Sequence, residues 1–296
     1  LMKINNAFIW LKQKPRIAFF MCLPLILMVA CLIIYPFFYS IFLATLNKAE
    51  TKFVGLANFL FLFKRETFWL VVQQSIFFAL VAVFFKALIG FIAAHSINEL
   101  PSKGQRKWRG MLLIPWVIPP ALSTLGWWWL FEPTYSALNW VLEKLSVDAI
   151  PWLSETFWAR FSIILVNIWV GAPFFLIMYL AALKSIPEDL YEAASIDGAN
   201  YWQKLFFITL PMMKNIISIT ILFSIIVTFA NFDIVRVLTR GGPIDTTHLF
   251  ATYAFRVGIE SGDIPLGAAV SLFMFPVLAV LSFIILRNVR KRTNEV

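Results

Sequence analysis

Charge is the scarcest commodity in this sequence. Of its 296 residues only 14% are Asp, Glu, Lys or Arg, and 60% are hydrophobic, whereas a soluble domain runs near a quarter charged. A fold of this size cannot hide 31 Phe and 12 Trp from water, so the composition excludes both disorder and a water-soluble globule. Cysteine is almost missing. Cys22 and Cys31 share the first apolar run, nine positions apart on one helix, which excludes a disulfide and leaves no redox role. Only two histidines occur, His95 and His248, so a His-based metal cluster is excluded. No G-x-x-x-x-G-K-[ST] stretch is present, and the chain therefore lacks a phosphate cradle of its own. No Ser-His-Asp or Cys-His arrangement is suggested, and no catalysis is expected. There is no low-complexity segment, short-period repeat or visible soluble domain.

What the sequence does have is long charge-poor windows. They predict an all-α, polytopic membrane protein with six transmembrane helices at about 17–46, 67–97, 110–131, 160–183, 211–235 and 263–286. A 1–16 segment precedes them and a basic 287–296 tail follows. Barrel strands would alternate in polarity over about ten residues, and no such alternation occurs. The first window is too long for a signal peptide, lacks an A-x-A site and contains Pro24 and Pro36, so it reads as a retained span.

The chain carries a formal net charge of +9. Its basic residues are unevenly placed. With the N-terminus inside, fifteen Lys and Arg fall on the cytoplasmic side, including Lys103, Arg106, Lys107, Arg109 and Lys184, and eight on the opposite side. That bias favours cytoplasmic termini and makes nucleic acid an unneeded partner.

The most patterned stretch runs from Ser185 to Pro211. Ser185 and Glu188 have capping-box spacing, Pro187 suits a first turn, and a helix from about Ile186 to Ile196 is expected. Gly198 is placed to end it, a second helix begins near Asn200, and Pro211 opens the fifth span. Glu188, Asp189 and Glu192 match the helix dipole, while Ala193 and Ala194 leave a small surface that another protein can approach. Taken alone, this is a helix-turn-helix linking two spans.

The whole string resembles the EAA loop of ABC-importer permeases: Glu192-Ala193-Ala194, Gly198 four positions later, then Leu210-Pro211. Phe53-Val-Gly-Leu-Ala-Asn-Phe59, Leu113 to Pro120, Trp169 to Phe174, Phe229 to Asp233 and Leu238 to Pro243 resemble further patterns of the sugar permeases. The likeness extends from about 17 to 286 and points to the maltose, glycerol-phosphate and oligosaccharide branch, with the type I importer (MetI-like) fold. It implies a bacterial inner-membrane permease subunit. Glu188, Tyr191, Glu192, Ala193, Ala194, Asp197, Gly198 and Pro211 would couple to an ATPase. A second permease, two ATP-binding subunits carrying ATP and Mg, and an external solute-binding protein would complete the machine. Gly241, Gly242 and Pro243 would face the binding protein. No cofactor is implied for this chain.

Polar and aromatic residues inside spans are candidates for the sugar path: Trp116, Asn167, Trp169, Asn231, Asp233 and Ser271. Each has a structural alternative. Asn167 can tie two helices together, Asp233 can pair with Arg236, and Trp127 to Trp129 read as an outer interfacial belt. Lys86 either snorkels, meets an acid of the second permease or meets an anionic substrate. A secondary transporter, or an ABC permease for another solute, remains the alternative, and the identity of the sugar is open.

Overall fold

A computed structural model describes residues 19–293, and the expected 1–16 segment lies outside them. Among the described residues, four stretches are long and apolar enough to cross a bilayer: Phe19–Ala44, Glu66–Asn98, Thr156–Lys184 and Tyr201–Leu238. Named in chain order, the helices are α1 (Phe19–Ala44), α2 (Ala57–Phe63), α3 (Glu66–Asn98) and α4 (Ser102–Leu112), then α5 (Pro120–Phe131), α6 (Ala137–Lys144), α7 (Thr156–Lys184) and α8 (Glu188–Ile196). They continue as α9 (Leu210–Phe229), α10 (Asp233–Leu238), α11 (Phe250–Phe255), α12 (Ile264–Leu272) and α13 (Met274–Thr293).

Three windows, the third, fifth and sixth, are not single helices, the fifth being broken between Phe229 and Asp233. The third, expected over 110–131, is split into α4, a single turn at Ile114–Val117 and α5. Ile118 and Pro119 between them take extended ψ values of 133° and 128°. The break follows from chemistry: Pro119 and Pro120 each lack an N–H, and each disfavours helix in the residue before it. The sixth window divides at Phe273 into α12 and α13, and α13 continues through the expected basic tail as far as Thr293. The fifth starts ten residues earlier than expected. Tyr201–Lys204 runs through a π turn at Leu205–Thr209 straight into α9, so Pro211 sits inside a continuous helix. The wider turn accommodates the donor that Pro211 lacks.

The centre of the molecule is the long α3–α7 pair. Towards one end, Val83, Ala94 and Ile97 of α3 pack on Phe175, Leu176 and Tyr179 of α7 and on Met213 of α9. Towards the other, Phe78 and Ala82 meet Ile163 and Val166, closed over by Phe131, Ile234 and Leu249. A third cluster joins Phe68, Val71 and Ala79 to Phe229, Phe250 and Ala269. Many large apolar side chains stay exposed outside these clusters, among them Leu80 and Phe84 on α3. Lipid is as apolar as a core, so such exposure carries no penalty in a bilayer.

Candidate functional site

Hydrogen bonds between elements place the two patterned loops at opposite ends of the bundle. At one end Gln74 of α3 and Arg160 of α7 both donate to the Thr246 carbonyl, the latter at 3.2 Å. At the other end His95 of α3 meets the Tyr201 hydroxyl at 2.8 Å, and α7 finishes at Lys184, whose ammonium donates to Gln105 at 2.5 Å. Gln74 and His95 are about 32 Å apart along one helix axis, close to the hydrocarbon thickness of a bilayer. The Gly241–Pro243 loop and the 185–211 loop therefore belong to different sides.

The 185–211 loop is built around α8. The expected capping box is not formed: α8 begins at Glu188, its N-cap is Pro187, and Ser185 Oγ donates back to Ala182 at 2.7 Å. Ser185 still completes the last turn of α7, and Ile186 is buried against the bundle, which holds the Ser185 hydroxyl away from the α8 N-terminus. Gly198, at φ +75°, terminates the helix in the left-handed region that a side chain disfavours. Asn200 and Gln203 form a reciprocal capping box, with bonds of 2.9 and 2.7 Å. Two side-chain contacts then fold α8 back onto the following helix. Tyr191 Oη pairs with Thr209 Oγ1 at 2.8 Å, and Lys204 Nζ donates to Ser195 Oγ at 2.6 Å. Glu188, Glu192, Ala193, Asp197 and Gly198 are left exposed, Ala194 is half-buried, and Pro211 is exposed further on. Leu190 and Ile196 are apolar and exposed on the same small helix, Ile196 at 87%.

At the other end, Gly241 has φ +93° and lies directly against the imidazole of His248; a Cβ there would overlap the ring atoms. Thr247 Oγ1 donates to the Gly242 carbonyl at 2.7 Å, and Thr246 Oγ1 to the Pro243 carbonyl at 2.6 Å. The Gly242–Pro243 bond is cis. Asp245 forms an ion pair with Arg256, and Ile244 projects at 89% exposure. His248 is buried. Its Nδ1 lies 3.1 Å from Thr252 Oγ1 and its Nε2 3.3 Å from Arg256. A neutral ring with its proton on Nδ1 satisfies both contacts. Burial, with a further push from Arg236, lowers the His248 pKa to about 4 against a pull upward from Glu260.

The sugar-path candidates do not form one cluster. Trp116 is half-exposed after α4 and rests on Phe174 at 6.3 Å between ring centres, with Phe174 on Phe223 at 5.1 Å. Trp169 packs edge-on to Trp127 at 5.6 Å, and Trp127 stacks on Phe131. Trp127 is thus a packed residue, whereas Trp129 is 74% exposed as a belt residue would be. Asn167 is buried and Asn231 half-buried; each keeps a buried Oδ1 with no partner among the described residues. Asp233 is exposed at the start of α10 and does not pair with Arg236, which instead bonds Glu260 at 2.5 Å. Ser271 turns inward on its own helix, donating to the Gly267 carbonyl at 3.1 Å. Lys86 is 4% exposed, donates to Thr228 at 2.9 Å, and meets no carboxylate among the described residues. Its stem occupies the space left by Gly171, where a Cβ would stand 2.7 Å from Lys86 Cδ. Sequence reasoning missed His248 beneath Gly241, the tie at Thr246 and the Gln105 contact. The last two join residues far apart in the chain, whereas Gly241 and His248 are seven residues apart within one loop.

The family model described as "Binding-protein-dependent transport system inner membrane component" matches residues 86–295. The chain belongs to that family. Its relatives place it among the carbohydrate ABC-importer permeases. The trehalose/maltose transport system permease of Thermococcus litoralis is 34% identical over 286 residues, 95% of this chain and 96% of that one. The sulfoquinovosyl glycerol transport system permease of Agrobacterium fabrum is 32% identical over 291 residues, 96% and 94% of the two chains. Among solved structures, a chain of a bacterial alginate ABC transporter, crystallised with an alginate pentasaccharide-bound periplasmic protein, superposes with TM-score 0.84 at 25% identity, covering 96% and 98%. This chain is accordingly a multi-pass membrane permease, and ATP hydrolysis belongs to other subunits of such a transporter.

Proposed function

We propose that this permease forms half of the translocation pathway of a bacterial inner-membrane importer for a sugar or oligosaccharide, with six spans and both termini cytoplasmic. A second permease supplies the other half, two ATP-binding subunits carry ATP and Mg, and a solute-binding protein delivers the sugar from outside. The relatives' sugar substrates support the solute class. The chain's own contribution is mechanical. The 185–211 loop transmits nucleotide-driven closure to the spans.

One observation carries the coupling assignment. α8 exposes Leu190, Glu192, Ala193 and Ile196 on one short helix, and hydrogen bonds at Tyr191 and Ser195 tie its inner side to the helix continuing into the membrane. Exposed apolar groups on a rigidly mounted helix suit a groove on a partner. A push on α8 is then delivered through Thr209 and Lys204 to α9, and α9 carries it to Thr228 and Asn231. In this reading Gly241, Gly242 and Pro243 face the binding protein, while Trp116, Asn167, Trp169, Asn231, Asp233 and Ser271 lie towards the sugar path.

The test is ATPase stimulation by the loaded solute-binding protein in the reconstituted complex, with Glu192→Lys and with Gly198→Asp. Both variants should fold and lose most of the stimulation and of the association with the ATP-binding subunit. Full stimulation in both would refute the coupling role.

A further inference from the structure

A groove of about 420 Å³ lies where α4 meets the last turns of α7. Arg106, Arg109 and Lys184 line one part of it, and Leu113, Ile177 and Leu180 the other. Basic side chains at one end and apolar ones at the other describe an amphipathic ligand. Two of the three cations, Lys184 and Arg109, are positioned by a single residue. Gln105 is buried, and its side-chain amide donates to the carbonyls of Asn98 at 3.1 Å and Leu100 at 2.8 Å, pinning α4 to the end of α3. Its Oε1 accepts from Lys184 Nζ at 2.5 Å, and its backbone carbonyl accepts from Arg109 Nε at 3.3 Å. Each cation spends one donor on this brace; Lys184 keeps two and Arg109 four. Arg106 makes no hydrogen bond or ion pair among the described residues.

The helix that carries these groups is itself suited to a membrane surface. α4 has no acidic residue. Lys103, Arg106, Lys107 and Arg109 share one side, and the exposed Trp108, Met111 and Leu112 form the other. That is the pattern of a helix lying in the headgroup plane, with cations towards phosphates and a Trp at the boundary. A soluble acidic protein would match the charge but would leave the apolar half of the groove unused.

We propose that this groove binds one anionic phospholipid. Its headgroup phosphate sits among Arg106, Arg109 and Lys184, and an acyl chain runs along Leu113, Ile177 and Leu180. Basic pockets between membrane helices recognise headgroups in this way. Lys184 directly precedes Ser185, so the lipid also clamps the turn of α7 from which the coupling loop starts. The site stands independently of what α8 docks to.

The experiment uses the assembled transporter purified in detergent, with tail-labelled phosphatidylglycerol and phosphatidylcholine of equal chain length as probes. The wild type should prefer phosphatidylglycerol by about tenfold or more. That preference should decline as salt rises, and excess inorganic phosphate should not displace the lipid. Arg106→Gln with Arg109→Gln should bring the preference close to one, whereas Lys64→Gln with Lys144→Gln should leave it intact. Equal binding of the two lipids, a preference flat in salt, displacement by phosphate, or an unchanged preference in the Arg106/Arg109 variant would each overturn the proposal. Loss of the ATP-binding subunit from that variant with lipid preference intact would instead identify a protein-docking surface. The wild-type lipid and salt comparisons decide the matter even if the double variant does not fold.

Discussion

The hydroxyl of Tyr191 lies 2.8 Å from that of Thr209, eighteen residues further along the chain. This contact joins the inner side of α8 to the π turn at Leu205–Thr209, which leads without a break into α9. The loop is therefore a bracket fixed at both ends to membrane helices.

Removing that hydroxyl with Tyr191→Phe should cost about 1 kcal/mol of stability, the usual net worth of one hydrogen bond. The larger effect should be on coupling. Reconstituted transporter carrying Tyr191→Phe should hydrolyse more ATP per sugar imported while retaining its ATP-binding subunits. An unchanged ratio would mean that force reaches α9 by another route.

Gly241 and His248 form the corresponding constraint at the opposite end. Gly241→Ala would press a methyl into contact with the imidazole closer than van der Waals distance, at a φ of +93°, and should cost about 1–3 kcal/mol. Adding His248→Ala should relieve the overlap, so the two changes together should cost less than their sum. Additive losses in thermal unfolding would show that the ring is not what Gly241 accommodates.

His248 also gives the Gly241–Pro243 end of the molecule a pH dependence. Its folded pKa is about 4, below the ordinary 6.5, because burial penalises the charged ring. A lowered folded pKa contributes stability that is complete above about pH 6.5 and is lost as pH falls towards about 4. The charged groups facing the ring are Asp245 at 3.7 Å and Arg256 at 3.3 Å, with Arg236 and Glu260 beyond. Between pH 7 and 5 the wild-type melting temperature should fall more steeply than that of His248→Gln. Parallel curves would assign the pH response to another group.

Lys86 is a buried cation held only by the Thr228 hydroxyl among the described residues. An unpaired buried charge is costly, and an apolar side chain of similar length removes the cost. Lys86→Met should therefore keep or raise the melting temperature. A drop equivalent to more than about 2 kcal/mol would mean that the ammonium has a partner in the assembled transporter.

Much of this architecture was legible because polarity alone marks a membrane span. The Glu66–Asn98 and Thr156–Lys184 helices stand within four residues of the windows read from charge. The same physics hid the rest. In lipid, outward and inward faces are both apolar, so hydropathy could not separate buried Phe78 from exposed Phe77 on α3. Pro119 and Pro120 were visible in the sequence, but a charge-free window counts them as span, and the break at Ile118 was missed. The expected Ser185–Glu188 box failed because Ser185 was already used by the end of α7. In the 185–211 loop the helix-ending role of Gly198 was readable locally. The placing of Lys184 on Gln105 depends on a tertiary contact that no local pattern encodes, and that of His248 under Gly241 on the path of one irregular loop, which has no periodicity to read.

The central claim, that α8 is the element on which the ATP-binding subunit acts, is tested most directly by cross-linking. In a Cys22→Ser, Cys31→Ser background, Ile196→Cys and Ile244→Cys would place single thiols at the exposed tips of the two loops. With a short bifunctional reagent, the account predicts that Ile196→Cys joins the ATP-binding subunit, with a yield that changes with nucleotide, and that Ile244→Cys joins only the solute-binding protein. A link from Ile196→Cys to the solute-binding protein, or none to the ATP-binding subunit in any nucleotide state, would contradict it.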